Sequence, residues 1–139
     1  MLSVASWNVQ GIKTRTHSKL EDNDFIATIS GHHIIGLIET HTTDDDKFIP
    51  GFISVSYNKK NTGTKKSGGI IILIKKDIKE GVSCYNTSFS EITWIKLKRE
   101  FFRLDKDIFI AFVYACPQNS SNASKLDTDV FKRIQDYIY

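Results

Sequence analysis

The sequence predicts a mixed α/β domain, and three features carry that reading. Two uninterrupted apolar runs, I-I-G-L-I at Ile34–Ile38 and I-I-I-L-I at residues 70–74, suit strands covered on both faces. The segment F-I-S-V-S-Y at Phe52–Tyr57 alternates apolar and polar residues as a half-buried strand does. Two further stretches, around residues 20–29 and 125–139, space their apolar residues at helical intervals. Composition agrees with a folded chain. With 139 residues, 40% hydrophobic and 25% charged, it falls outside the collagen-like and strongly disordered classes, and the length allows one domain.

Taken in order, Leu2 and Val4 begin a short strand, read as buried, that ends at Trp7-Asn8 before the turn residue Gly11. Ser18 and Glu21 have the spacing of a capping box, and Leu20, Phe25, Ile26 and Ile29 form the apolar stripe of a helix stopped by Gly31. Next comes the apolar run Ile34–Ile38, closed abruptly by Glu39. Asp44, Asp45 and Asp46 form an acidic loop; the alternating strand follows, and residues 58–67 make a basic, glycine-containing loop. After the strand at 70–74, Ile92, Trp94, Ile95 and Leu97 define another. Residues 108–114 give one more, joined to it by a turn around Leu104-Asp105-Lys106. A polar loop at 117–124 leads to the amphipathic helix of 125–139, whose apolar face is Leu126, Val130, Phe131, Ile134 and Ile138. These strands are expected to meander antiparallel, with the helices outside.

Charge and cysteine content narrow the functional classes. The net charge is +3, yet residues 47–76 hold seven lysines and no acid, a pattern that suits either a solvated loop or contact with a polyanion. Cys84 and Cys116 cannot build a disulfide framework and sit in no metal-binding spacing, which points to a reducing compartment. The longest apolar run, residues 69–74, is too short to cross a bilayer as a helix, and the opening M-L-S-V-A-S-W-N has no signal-peptide pattern.

Two apolar strands end in residues able to do chemistry. Asn8 closes the first and Glu39 the second, and layered α/β folds gather ligands beyond strand ends. A carboxamide and a carboxylate at one edge suit a phosphate and a hard cation, because Mg²⁺ commonly takes one or two carboxylates and keeps waters and phosphate oxygens. Tyr114, ending the strand at 108–114, is a candidate hydrogen-bond donor to the same pocket.

The order of four segments goes further. They are S-W-N-V-Q-G-I at 6–12, G-L-I-E-T-H at 36–41, S-G-G-I-I-I-L-I at 67–74 and F-V-Y-A-C-P at 112–117. With them the chain resembles the N-terminal part of the endonuclease/exonuclease/phosphatase superfamily. Within it, K-L-E-D-N-D-F and W-I-K-L-K-R-E-F-F are similar to the apurinic-like endonuclease domain of LINE-type (non-LTR) retrotransposon proteins. The resemblance implies an incomplete two-sheet α/β sandwich, with residues 1–139 forming the N-terminal part of a single domain that stops before the family's G-D-F-N strand. It also implies a Mg²⁺-dependent phosphodiester hydrolase that nicks DNA.

Residue by residue, the resemblance places Asn8 at the phosphate-positioning asparagine, Glu39 at the Mg²⁺-binding carboxylate, and Tyr114 at a tyrosine on the scissile phosphate. Cys116-Pro117 departs from the family beside that tyrosine. His41 follows the metal glutamate as in many retroelement members and is read as a solvated loop histidine. Trp7 is read as core, and Ser67-Gly68-Gly69 as a close-packing segment. Lys59, Lys60, Lys65 and Lys66 are candidate phosphate contacts.

Neither G-D-F-N nor S-D-H, the family's water-activating and phosphate-contacting motifs, occurs in these 139 residues. The expectation is therefore a fragment inactive in isolation that binds Mg²⁺ weakly or not at all. The implied partners are DNA, the remaining half of the domain and a downstream reverse transcriptase, in an intracellular, nuclear setting away from membranes. Two alternatives stay open: a phosphatase of the same superfamily acting on lipid or inositol phosphates, and a non-catalytic nucleic-acid-binding remnant.

Overall fold

A computed structural model describes residues 2–12, 17–41, 49–57, 69–86 and 92–114. In chain order they form β1 (Val4–Asn8), α1 (Asn23–Ser30), β2 (Ile34–Ile38), β3 (Phe52–Tyr57), β4 (Ile70–Lys75), β5 (Val82–Asn86), β6 (Ile92–Leu97), the short α2 (Arg99–Phe102) and β7 (Ile108–Val113). The strands make two sheets, one ordered β1-β2-β4-β3 and the other β5-β6-β7. The chain is thus a mixed α/β domain with two sheets and helices. The acidic loop at 44–46, the four candidate lysines, Ser67-Gly68 and the segment 115–139 lie outside the described residues.

Burial explains which strands sit centrally. Every residue of β2 is buried, as are the first five of β4, and these two strands pair in the middle of the first sheet. Side chains alternate between its faces. Ile35, Leu37, Ile71 and Leu73 pack with Phe25 and Ile29 of α1, whereas Ile34, Ile70, Ile72 and Ile74 pack with Ile95, Leu97 and Phe112 of the second sheet. An all-apolar strand is stable only where both faces are covered, and this layering provides that.

The expected antiparallel meander holds for β5-β6-β7 and fails in the first sheet. There β1 and β2 run parallel, Val4 opposite Ile34 and Asn8 opposite Ile38, and β4 lies between β2 and β3. The cause is the connection, since residues 9–33 include α1 and are long enough for the crossover that parallel strands require. A second correction concerns β1. Read as buried, it is an edge strand whose Ser6, Trp7 and Asn8 are exposed.

Helix α1 ends at Gly31 as read but begins differently. Asp22 is the cap, its Oδ1 accepting the N–H groups of Asp24 (2.9 Å) and Phe25 (3.3 Å). The Ser18 hydroxyl instead accepts from Leu20 N (3.2 Å) and starts a separate 3-10 turn over Lys19–Glu21. Acidic side chains at that end also suit the helix dipole. Beyond Gly31, His33 Nδ1 accepts the Ser3 N–H at 3.0 Å and fastens the start of β1 to the entry of β2.

At Gly36 of β2 the second sheet approaches closely through Phe112 of β7. A Cβ added there would stand 2.2 Å from Cδ1 of Phe112, so only glycine admits the ring. On the same inner face, Cys84 of β5 is half-buried, and burial pushes its thiol pKa above the ordinary value. Three elements escape the sequence reading: β5, the 3-10 turn over Lys76–Gly81, and α2. Helix α2 precedes the expected turn and packs its Phe101 and Phe102 rings over Gly81, where a Cβ would meet them at 2.4–2.8 Å.

Candidate functional site

The parallel pairing decides what stands together. Asn8 is the last residue of β1 and lies opposite Ile38, so Glu39 is one residue further along the neighbouring strand. Backbone hydrogen bonds continue the ladder past the strand ends. Val9 N donates to Ile38 O (2.9 Å), Gly11 N to Glu39 O (2.6 Å), and Ile12 N to Thr40 O (3.0 Å). Thr40 N donates to Gly69 O (3.3 Å), which draws in the start of β4. Segments 8–12 and 39–41 are thereby held as one rim.

That rim is strained. Of the four non-glycine residues with positive φ among the described residues, three are here: Gln10 (48°), Glu39 (58°) and His41 (55°). A left-handed conformation at such residues costs about 1–3 kcal/mol each and persists only where surrounding structure enforces it. Here the enforcing contacts are the ladder bonds just described. Gly11 (φ 88°) accepts its own turn freely, and His41 Nδ1 would lie 3.3 Å from any Cβ placed on it. His41 is therefore half-buried against Gly11 rather than solvated.

The side chains present distinct groups. Asn8 Oδ1 accepts the Gln10 N–H at 3.1 Å, which fixes the carboxamide and leaves its NH₂ as a donor without a partner among the described residues. Glu39 is half-buried, and its carboxylate has no hydrogen-bond partner among the described residues. Thr40 is fully buried, and its hydroxyl is likewise unpartnered. Gln10 and Thr40 belong to the rim and escape the sequence reading. Both lie inside the segments 6–12 and 36–41 that carry the resemblance, but neither stands out there as a site residue.

Tyr114 stands apart from this pair in its connectivity. It follows β7, a strand of the other sheet, and is half-buried two residues beyond the Phe112 that rests on Gly36. Trp7, read as core, is 37% exposed on the β1 edge. Lys59, Lys60, Lys65 and Lys66 lie outside the described residues.

A divalent cation would find a sparse donor set. Among the described residues no group of three or more His, Cys, Asp or Glu side chains could enclose a metal ion. Among the described residues Glu39 alone offers a carboxylate at the rim, which fits Mg²⁺ only in the mode where waters and phosphate oxygens complete the shell. No family model matches the chain, and a search of curated proteins finds no match.

Proposed function

We propose that this chain contributes the phosphate- and metal-holding rim of a Mg²⁺-dependent phosphodiesterase of the endonuclease/exonuclease/phosphatase type, acting on DNA in the manner of a LINE-type retrotransposon endonuclease. The observation that supports it is the parallel β1–β2 register, with Asn8 and Glu39 at adjacent strand ends on a strained rim. Asn8, fixed through its Oδ1, offers N–H groups to a phosphate oxygen. Glu39 offers the charge that a hard cation needs. Mg²⁺ bound there would supply positive charge against the phosphate oxygens. The left-handed backbone at Glu39 sets the carboxylate's starting point before any ligand arrives, which lowers the ordering cost of binding.

Mn²⁺, a paramagnetic substitute for Mg²⁺, tests this directly. In the presence of a short DNA duplex it is expected to broaden the amide signals of residues 8–12 and 39–41 selectively. Glu39→Ala should abolish the effect while leaving signal dispersion intact. Broadening elsewhere, or broadening that survives the substitution, would count against the site. Inositol hexakisphosphate competing better than DNA would move the substrate to the phosphatase alternative.

The lysines extend the same reading to DNA outside the rim. Replacing Lys59, Lys60, Lys65 and Lys66 by Gln is expected to flatten the slope of log affinity against log salt by roughly 2–4 units on duplex DNA. The loss should be equal for all sequences, because lysine–phosphate contacts carry no base information. An unchanged slope would leave these lysines as solvated charge.

A further inference from the structure

An open cleft of about 410 Å³ is lined by the end of β1 and the start of α1. Its lining includes Trp7, Gln10, Lys19, Asp22, Asp24 and Phe25, and Asn8 borders it. The Trp7 indole rests on the Phe25 ring, centroids 5.0 Å apart at 33°, and leaves 37% of the residue exposed. A tryptophan this open on an edge strand forgoes apolar burial that the core elsewhere in this chain takes fully.

The polar groups of the cleft divide into committed and uncommitted ones. The Lys19 ammonium donates to Val9 O, and Asp22 Oδ1 is occupied capping α1. The Thr28 hydroxyl donates to Asp24 O at 2.9 Å. The Asp24 carboxylate and the Gln10 carboxamide have no partner among the described residues. Among the described residues the lining carries two carboxylates, Asp22 and Asp24, against the one ammonium of Lys19. What remains on offer is an aromatic face beside a free anionic acceptor in a concavity of negative balance.

We propose that this cleft is a guanidinium site that takes an arginine side chain of a partner polypeptide. A guanidinium is planar, so it can lie on the indole face, and its edge N–H groups match a carboxylate as a fork. Three uncommitted groups then have a use, the indole taking the cation's face, Asp24 its edge and the Gln10 carbonyl a remaining N–H, while the Asn8 NH₂ is left to solvent or to the rim. An ammonium would satisfy Asp24 but has no flat face to stack. A nucleotide would stack, but its phosphate would meet the excess carboxylate. The cleft adjoins the proposed Mg²⁺ and phosphate rim and shares Asn8, Val9 and Gln10 with it.

The test is titration of the 139-residue chain in EDTA with N-acetyl-arginine amide, read by the indole N–H signal of Trp7. A Trp94→Phe variant assigns that signal. Saturable binding is expected with a dissociation constant on the order of millimolar. N-acetyl-citrulline amide, the uncharged isostere, should bind roughly tenfold more weakly or worse. Asp24→Asn, an exposed change, should weaken arginine by a similar factor, roughly tenfold, with signal dispersion retained. Absence of a saturable shift, equal binding of citrulline and arginine, or an Asp24→Asn variant that binds normally would each overturn the proposal. So would tighter binding of deoxyadenosine monophosphate, which would make Trp7 a base-stacking platform instead.

Discussion

Gly36→Ala is expected to destabilise the fold by about 3 kcal/mol, at the upper end of what overpacking a filled core costs. The added methyl would stand 2.2 Å from a Phe112 ring that is itself only 3% exposed and packs in one buried cluster with Ile95 and Leu97. Against a total stability of roughly 5–15 kcal/mol for a typical domain, that is a large fraction. Denaturant melts of the single variants and the double variant test the stated cause. Phe112→Leu alone should destabilise by leaving a void. Combined with Gly36→Ala it should lose at least about 1 kcal/mol less than the two single losses added together, because the smaller side chain makes room for the methyl. A Gly36→Ala melt matching the parent chain, or strict additivity in the double variant, would show that Phe112 does not set the spacing of the sheets.

The second large effect is on catalysis. The 139-residue chain is expected to leave supercoiled plasmid DNA intact in Mg²⁺. On the proposed reading Asn8 and Glu39 hold a phosphate and a cation, but the 139 residues include neither G-D-F-N nor S-D-H to activate water or to stabilise developing charge. A positioned general base is worth roughly 10²–10⁴ in rate. A preorganised charge-stabilising donor is worth roughly 10²–10³ more. Without them, hydrolysis should fall below detection. Nicking that disappears in Glu39→Ala would mean that a residue among these 139 activates water. Nicking that persists in that variant would identify a contaminating nuclease.

Both effects show where sequence reading succeeds and stops. The central strands β2 and β4 were legible because uninterrupted isoleucine and leucine can be stable only between two covered faces, and burial of this kind is written locally. The apolar stripe of α1 was legible from its helical spacing, and its stop from the glycine that follows it. Asn8 and Glu39 stood out as polar residues ending apolar runs. Strand β5 did not, since V-S-C-Y-N mixes polar and apolar residues too briefly to show a period, and it becomes a strand by pairing with β6.

The remaining features depend on contacts between residues far apart in the chain. No local pattern shows that β1 would take the sheet edge, leaving Trp7 open where burial was expected. Nor does any show that the glycine admitting Phe112 is Gly36. The Asn8–Glu39 neighbourhood is of this kind as well. The sequence by itself determined the strand cores, the main helix and the two polar strand ends. Tertiary structure decided the parallel register that joins those ends and the ladder that holds Gln10, Glu39 and His41 left-handed. The physical reason is that periodicity records whether a side chain is covered, whereas pairing and layering record by what, and that choice is made only when distant segments meet.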